Sequence, residues 1–505
     1  MATKALIAAI AACVALPAVG GAQSNGKATT VDWRAFDKYV EQAAHDWHVP
    51  ALAIAVVKDD SLVFAKGYGV IEIGKPTRAD EHTRFAIGST TKAMTSVSLG
   101  MLVDEGKLHW DDRVIDYLPD FRLYDPYATR ELTVRDLLTH RSGLGSTDLL
   151  WAGPWTYTMP EMIRRLRYVK PASSFRSEWE YQNVVYAIGG TLIERVSGMP
   201  WETFVRTRIF APLGMNETEP LVSLIKGKPN VAVPHVERND TVRVVPIRST
   251  DAIAPAGSVW SSVSDMSKWM RFILDSGRVG SQRLLKPETF RELIAPQIRA
   301  PIDEYPALRL AKPDFFSYGL GWFVQDYRGQ AVWMHTGSID GMCAIIGLIP
   351  EKRVGVYVLE NLDHAELRHG LMYSVFDLYS GGPSRDWSHE LHDLFASLAR
   401  SRPQAQAGMR AETHPSLPLE KYAGTYVDST YGTVQVTLAN GALQVQLADQ
   451  AAQKLEPVEY ETFRSPASPM ARQALTLTFV PDGAGNVSAV RMFGVPFERV
   501  RSARR

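Results

Sequence analysis

A serine and a lysine three residues apart are the first residues whose types and spacing could do chemistry. Residues 85–92 read Phe-Ala-Ile-Gly-Ser-Thr-Thr-Lys, and the pattern over 91–105 predicts a helix. One helical turn would bring the side chains of Ser89 and Lys92 to the same face. A neighbouring base can activate a serine hydroxyl as a nucleophile, and backbone N–H groups at a helix start can stabilise an oxyanion.

This spacing alone is weak evidence of a site, because the chain contains it more than once. Ser223 and Lys226 repeat it, and a capping serine followed by a surface lysine explains any single match. Two further motifs change the interpretation. Tyr181-Gln182-Asn183 precedes an apolar helical pattern, and His335-Thr336-Gly337-Ser338 follows a strand pattern over 331–334.

The three motifs, in this order and in these settings, resemble the serine β-lactamase and penicillin-binding-protein superfamily in its class C-like branch. That branch includes D,D-carboxypeptidases, D-aminopeptidases, class C β-lactamases and carboxylesterases. The flanking segments 132–144, 211–215, 256–258 and 318–322 agree with it. The resemblance covers residues 33–379, which is most of the chain that would remain after removal of a signal peptide.

The resemblance implies a covalent mechanism. Ser89 would attack a carbonyl and form an acyl-enzyme. Tyr181 would be the general base, either as a phenolate or by sharing a proton with Lys92. Tyrosine and lysine both titrate near pH 10 in water, so a shift of about three units, on the order of 4 kcal/mol, is required of the site. No metal or other cofactor is required.

The resemblance also implies substrate-binding residues. Asn183 would hydrogen-bond Lys92 and a substrate amide. The backbone N–H groups of Ser89 and Ser338 would form the oxyanion hole, and Gly337 would leave room for the substrate against the strand. His335 departs from the many relatives that carry lysine there and bind a substrate carboxylate. Histidine is only partly charged near neutral pH, so this substitution disfavours β-lactams and terminal D-alanyl-D-alanine.

The elements that must position these residues predict an α+β fold. Helical spacing over 31–48 is followed by strand patterns at 51–57 and 62–73, and strand patterns return at 318–325, 332–335, 343–349 and 354–359. Helical patterns fill the middle and return at 365–379. The simplest arrangement is an antiparallel sheet whose N- and C-terminal strands pair, with helices on its faces and a helical region inserted.

A second domain is predicted after a change in composition. Residues 381–418 combine a helical segment with a linker rich in Pro, Gln, Ala, Arg and Ser. Residues 419–505 alternate with period two around Asn440-Gly441, a strong hairpin signal. They predict an all-β barrel or sandwich similar to the lipocalin-like domain appended to such hydrolases. The hydrolase domain itself is predicted over residues 30–380.

Three aromatic side chains lie in the insertion between the first two motifs. Trp151, Trp155 and Tyr157 are predicted to form the rim of the substrate pocket. Cys343 falls in a strand pattern, where a small buried apolar residue is expected rather than a reactive thiol.

Residues 1–22 are predicted to be a signal peptide. Lys4 precedes an apolar run over 5–19, and Gly20-Gly21-Ala22 supplies the small residues of a cleavage site. A membrane anchor and a lipoprotein signal at Cys13 are the alternatives, and the apolar run is short for a spanning helix. The mature chain would be secreted or periplasmic, without an integral membrane segment.

Composition limits the partners. The 505 residues carry 55 Lys+Arg and 55 Asp+Glu, and so have zero formal net charge. Nucleic-acid binders normally carry a basic excess, so we predict a small-molecule or peptide substrate and no nucleic acid. Two cysteines rule out a disulfide scaffold.

Three functions stay open from the sequence. The first is a secreted serine hydrolase that cleaves amide bonds of peptides or D-amino-acid derivatives through Ser89. The second is a carboxylesterase or weak β-lactamase with the same machinery. The third is a sensor or binding protein that is acylated with little turnover. No sequence feature separates amide from ester cleavage.

Overall fold

The computed structural model describes residues 31–383, 385–401, 413–466 and 474–500. The signal peptide predicted at 1–22 and residues 402–412 of the predicted linker lie outside this part of the chain. Within it, no helix combines the length and the apolar character needed to cross a membrane.

The strands up to residue 360 form one large sheet and three short ribbons. In chain order they are β1 (Ala51–Lys58), β2 (Ser61–Gly69), β3 (Phe85–Ala86), β4 (His235–Arg238), β5 (Thr241–Val244), β6 (Trp260–Ser261), β7 (Arg278–Val279), β8 (Gln282–Arg283), β9 (Ile298–Arg299), β10 (Phe316–Tyr318), β11 (Phe323–Tyr327), β12 (Gln330–Ile339), β13 (Met342–Ile349) and β14 (Val354–Glu360).

The helices cover both faces of the large sheet. In chain order they are α1 (Trp33–Asp46), α2 (Lys92–Asp104), α3 (Val114–Tyr117), α4 (Pro126–Glu131), α5 (Val134–Leu138), α6 (Leu149–Ala152), α7 (Met159–Arg165), α8 (Asn183–Ser197), α9 (Trp201–Val205), α10 (Ala211–Leu213), α11 (Ala254–Gly257), α12 (Val263–Leu274), α13 (Pro287–Ile294), α14 (Leu308–Ala311), α15 (Leu367–Ser380) and α16 (Trp387–Ser401).

The large sheet is antiparallel and has the order β2-β1-β14-β13-β12-β11-β10-β9. The first and last strands of this sheet in chain order, β1 and β14, pair with each other, with Leu52 opposite Glu360 and Val56 opposite Val356. This confirms the predicted α+β fold, in which N- and C-terminal strands pair around an inserted helical region.

The core lies on the two faces of this sheet, and β1 shows how one strand serves both. Its residues alternate, because successive side chains of a strand point to opposite faces. Ala51, Ala53, Ala55 and Val57 pack in one cluster with buried residues of α2, α8 and α12. Leu52, Ile54 and Val56 pack in a second cluster with α1 and α15.

One predicted strand is interrupted. The pattern over 318–325 forms the end of β10 and the start of β11, and residues 319–322 reverse the chain between them. Gly321 lies in this turn with φ of 90°, a region that side chains other than glycine rarely adopt. A Cβ there would lie 2.6 Å from the Tyr186 hydroxyl, so glycine also permits close packing.

The strands after residue 423 form a nearly closed antiparallel β barrel, as predicted for an all-β C-terminal region. They are β15 (Gly424–Asp428), β16 (Gly432–Ala439), β17 (Ala442–Leu447), β18 (Gln453–Lys454), β19 (Glu456–Glu459), β20 (Thr462–Arg464), β21 (Thr476–Pro481), β22 (Val487–Met492) and β23 (Val495–Arg499). The order is β18-β17-β16-β15-β23-β22-β21-β20-β19. The domain boundaries predicted at 30–380, 381–418 and 419–505 stay predictions.

Candidate active site

Ser89 lies in a short 3-10 turn, Gly88–Thr91, that leads directly into α2. Its half-exposed side chain lines a cavity of about 500 Å³. Gly88 has φ of 51°, and a Cβ on it would lie 2.6 Å from the backbone nitrogen of Ser338. The turn can therefore approach β12 only because this position is glycine.

Lys92 is the first residue of α2, a helix whose surface is buried on every side for most of its length. The Lys92 side chain is fully buried. Its Nζ lies 2.9 Å from Ser89 Oγ, 2.8 Å from Asn183 Oδ1 and 2.9 Å from the Ala256 carbonyl oxygen. Burial lowers the pKa of Lys92 well below its usual range, against the opposing charge of Asp148.

Tyr181 precedes α8 and completes the group around Ser89. Its ring centroid lies 4.7 Å from Lys92 Nζ, and its side chain lines the same cavity as Ser89. Burial raises the pKa of Tyr181 well above its usual range, although its interaction with Ser89 opposes this. The environment therefore favours a neutral phenol beside a neutral amine. It does not favour the phenolate alternative predicted from the resemblance.

Asn183 begins α8 and connects Lys92 to a carboxylate. Its amide oxygen accepts from Lys92, and its Nδ2 donates to Asp148 Oδ1 over 3.1 Å and Oδ2 over 3.3 Å. Asp148 also accepts from Trp151 Nε1 at 2.8 Å and lines the cavity. Sequence reasoning missed Asp148, which no motif marks.

His140 supports Tyr181 from behind and was also missed. The two ring centroids lie 4.2 Å apart. The Nδ1 atom of His140 accepts the backbone N–H of Gln182 at 3.0 Å, so its proton is on Nε2. Burial lowers the pKa of His140 well below its usual range, and the ring is therefore neutral. His140 therefore packs against the Tyr181 ring and accepts a hydrogen bond from the next residue, which helps to hold Tyr181 in position.

The third motif, residues 335–338, lies in β12, which extends to Ile339 and runs beside the Ser89 turn. A Cβ on Gly337 would lie 1.9 Å from the Ile87 carbonyl oxygen and 3.0 Å from the backbone nitrogen of Ser89. Gly337 therefore permits close packing of strand and turn. The Ile87–Ser89 backbone lies where a side chain at this position would point, and the role of Gly337 in leaving room for substrate stays a prediction.

Ser338 faces the cavity and is held by Arg368, a further residue that the sequence did not reveal. Arg368 Nη1 donates to Ser338 Oγ at 2.9 Å, to the Gly337 carbonyl at 2.7 Å and to the Ala344 carbonyl at 3.2 Å. Its Nη2 forms an ion pair of 3.0 Å with Glu366. Arg368 is only 3% exposed, so this network fixes the strand that would supply the second oxyanion-hole donor.

His335 lies behind the cavity wall and does not line it. Its Nδ1–H donates to the Thr336 carbonyl oxygen at 2.6 Å, and its Nε2 accepts from the Tyr318 hydroxyl at 2.8 Å. Burial lowers the pKa of His335 to about 3. The expectation of a partly charged imidazole near neutral pH is therefore wrong, because this ring is neutral and committed to two internal bonds.

This buried imidazole should make stability depend on pH. Its pKa is about 3 in the folded state against 6.5 in an exposed histidine. Between these pH values His335 is protonated only in the unfolded chain. Its contribution to the free energy of unfolding is therefore complete above pH 6.5 and is lost as the pH falls. The slope from this residue is about 1.4 kcal/mol per pH unit. The free energy of unfolding is measured with urea at several pH values across this window. Its dependence on pH should be shallower by that amount in His335→Asn than in the wild type. Equal slopes would contradict the assignment.

The remaining candidates lie elsewhere. Ser223 and Lys226, which repeat the Ser-x-x-Lys spacing, are both exposed, and neither lines the cavity that contains Ser89.

Of the three aromatic residues predicted at the pocket rim, Trp151 lines the cavity that contains Ser89. Trp155 and Tyr157 instead contact the barrel: Trp155 stacks on Phe497, and the Tyr157 hydroxyl donates to the Tyr431 carbonyl oxygen at 2.9 Å. Cys343 is buried, which raises the pKa of its thiol to about 12.

Comparison with known proteins gives the family. The family model described as Beta-lactamase matches residues 36–377. The chain belongs to the beta-lactamase family. This is a family of serine hydrolases with the β-lactamase and penicillin-binding-protein fold. Residues 409–502 of this family member match a second model, described as Domain of unknown function (DUF3471).

Several relatives are similar to this beta-lactamase family chain. The unguisins hydrolase ungD of Aspergillus violaceofuscus is 28% identical over 477 residues, covering 87% of this chain and 84% of that protein. Protein flp of Staphylococcus aureus (strain N315) is 24% identical over 330 residues, covering 65% and 62%. The octameric penicillin-binding protein homologue from Pyrococcus abyssi shares the fold, with a TM-score of 0.61 and 22% identity over 92% of this chain and 99% of that one.

Proposed function

We propose that this chain forms an acyl-enzyme on Ser89 and hydrolyses amide bonds of peptides or D-amino-acid derivatives. The observation that carries the proposal is the surroundings of Lys92. A neutral amine has two N–H donors and one lone pair. Two of its partners, the Asn183 and Ala256 carbonyl oxygens, can only accept. The lone pair is therefore left for the third partner, the Ser89 hydroxyl.

These contacts support a sequence of proton transfers. Lys92 accepts the Ser89 proton as Oγ bonds to the substrate carbonyl carbon, and the carbonyl oxygen becomes an oxyanion near the N–H groups of Ser89 and Ser338. The C–N bond then breaks as a proton passes to the leaving nitrogen. Tyr181, which lines the same cavity as Ser89 and interacts with it, is placed to relay that proton. Water then hydrolyses the ester on Ser89 and releases the acid.

The charges around the cavity support a substrate that carries an amino group. Asp148 and Glu304 line the cavity, and within the described residues neither forms an ion pair with a cationic side chain. Both arginines of the lining are already paired, Arg248 with Asp340 and Arg368 with Glu366. An ammonium group would find carboxylates here that have no ion-pair partner, whereas a substrate carboxylate would have to compete with Asp340 or Glu366 for an arginine.

A panel of substrates tests this proposal. It contains D- and L-aminoacyl p-nitroanilides with free amino groups, their N-acetyl counterparts, p-nitrophenyl esters and nitrocefin. We expect kcat/KM to be at least about tenfold higher for a free amine than for its N-acetyl counterpart, since one charge interaction of 1.4 kcal/mol suffices. Faster turnover of every ester or of nitrocefin would favour the esterase or β-lactamase alternative. A persistent acyl adduct without turnover would favour the sensor.

A matched pair of variants isolates the carboxylate. Glu304→Gln removes a cavity carboxylate, and Asp303→Asn removes its exposed neighbour outside the lining. Glu304→Gln should raise KM two- to fivefold for free-amine substrates only, because a partly exposed charge contributes roughly 0.5–1 kcal/mol. Asp303→Asn should leave KM unchanged. The same change in both variants would exclude a direct contact with the ammonium group.

A further inference from the structure

A second cavity, of about 780 Å³, lies between the β barrel and the domain that carries Ser89. One wall comes from α6 and from the segment after β5, including Leu149, Val245 and Ile247. The opposite wall comes from the barrel, including Leu475 and Phe493. The volume is within the range typical of small-molecule sites.

The two cavities are adjacent and share three lining residues. Ala152, Arg248 and Asp340 line both of them. Arg248 Nε donates to Asp340 over 2.5 Å, and its Nη1 donates to the Ala152 carbonyl oxygen over 2.9 Å. The Arg248–Asp340 ion pair therefore marks the border at which a ligand in the Ser89 cavity would enter the second one.

The barrel wall is fixed in place. Trp155 Nε1 donates to the Thr433 carbonyl oxygen at 3.4 Å, and Arg165 Nη1 donates to the Thr430 carbonyl oxygen at 3.0 Å. The Trp155 ring also stacks on Phe497, with the centroids 5.8 Å apart. These contacts make the barrel part of a preformed site.

Both walls present large apolar side chains to solvent. Ile247 is 41% exposed on one side and Phe493 is 47% exposed on the other. Isolated exposed apolar residues need no explanation, but two that face one cavity provide apolar surface that a ligand could bury.

The turn that carries Phe493 does not itself favour an aromatic residue. Phe493 and Gly494 join β22 to β23 with φ of 54° and 77°. Such two-residue turns favour asparagine, aspartate or glycine at the first position, because bulky side chains are strained at positive φ. The equivalent turn between β16 and β17 has the favoured pair, Asn440-Gly441. Nothing in the barrel fold itself requires phenylalanine at 493.

We propose that this second cavity is a substrate subsite that binds apolar side chains of an extended peptide whose scissile carbonyl lies at Ser89. The assignment rests on the proposed function only in placing that carbonyl. Phe493 and Ile247 provide opposing apolar surfaces, and the chain of the substrate passes the Arg248–Asp340 pair. The barrel therefore determines specificity for substrates longer than the Ser89 cavity can hold.

Phe493→Asn tests the subsite without weakening the turn. Asparagine is preferred at this turn position, so the thermal stability of full-length Phe493→Asn should be unchanged or higher. Short aminoacyl p-nitroanilides are compared with peptides extended by three apolar residues, in one series on the acyl side and in another on the leaving-group side. We expect KM to rise at least fivefold for one extended series and less than twofold for the short substrates.

Tyr460→Asn is the matched control. Tyr460 is also an exposed aromatic residue at positive φ in the barrel, at 51% exposure and φ of 43°, and it does not line the cavity. It should change no KM value. Equal KM values for wild type and Phe493→Asn in both extended series would overturn the subsite. A short fluorophosphonate separates the two proposals: without labelling of Ser89 the proposed function fails, whereas labelling with unchanged extended-substrate KM values refutes the subsite alone.

Discussion

Replacing Ser89 by alanine should lower turnover by at least about a thousandfold with every substrate that the native chain processes, because the nucleophile is lost. Lys92→Ala should lower it as far, because in the proposed mechanism the amine 2.9 Å from Ser89 Oγ is the base that activates it. The double variant should be no slower than either single one, since residues that act as a unit fail together. Steady-state kinetics and intact-mass detection of a phosphonate adduct measure both effects.

The same spacing elsewhere in the chain supplies the control. Ser223→Ala removes the exposed serine of another Ser-x-x-Lys match and should keep native rates. Thermal melts must accompany Lys92→Ala, because this change leaves the Asn183 and Ala256 carbonyl oxygens without their donor. Wild-type turnover by folded Ser89→Ala would refute the covalent mechanism.

Gly337→Ala should lower kcat/KM by at least about a hundredfold, the effect of losing one oxyanion-hole donor. The added Cβ would lie 1.9 Å from the Ile87 carbonyl oxygen, so β12 must move away from the Ser89 turn. That movement displaces the Ser338 N–H relative to the Ser89 N–H. The loss should appear in kcat, because these donors act on charge that develops in the transition state.

Gly483→Ala is the matched glycine control. A Cβ at Gly483 would meet nothing within 4 Å, so this variant should retain native kinetics and stability. Because Gly337→Ala also strains a packed strand, the rate of phosphonate labelling is measured on protein that retains its melting transition. A folded Gly337→Ala with native kcat would show that the contact between strand and turn does not position the oxyanion hole.

Much of the fold could be predicted from local patterns. The apolar, β-branched run of β1 and the helical pattern of α2 are local signals, and the structure has both elements within a few residues of the predicted bounds. The turn at 319–322 was missed because a β-rich pattern continues through it. Only the positive φ of Gly321 and its contact with Tyr186 divide the strand.

The candidate site was predictable where its residues belong to motifs. The structure brings Ser89, Lys92, Tyr181 and Asn183 together, and their catalytic roles stay predictions. The neutral state of His335 was not predictable, since it depends on the Tyr318 hydroxyl and on burial.

Two contributors to the site, Asp148 and Arg368, carry no local signal, and His140 lies in the flanking segment 132–144 without any indication of its role. Their contacts with the motifs depend on where the fold places two turns and α15. A single sequence records residue types along the chain, whereas these contacts arise between segments far apart in it.

The pairing of β1 with β14 has a consequence for the order in which the molecule can form. Leu52 and Glu360 are neighbours in the sheet although roughly 300 residues separate them along the chain. Contacts this distant slow folding, because a very large loop must close before these two strands meet. A nascent chain therefore lacks the complete pairing of β1 with β14 until residue 360 has been synthesised. Fragments that stop earlier should expose the apolar faces of β1 and α2, and aggregate.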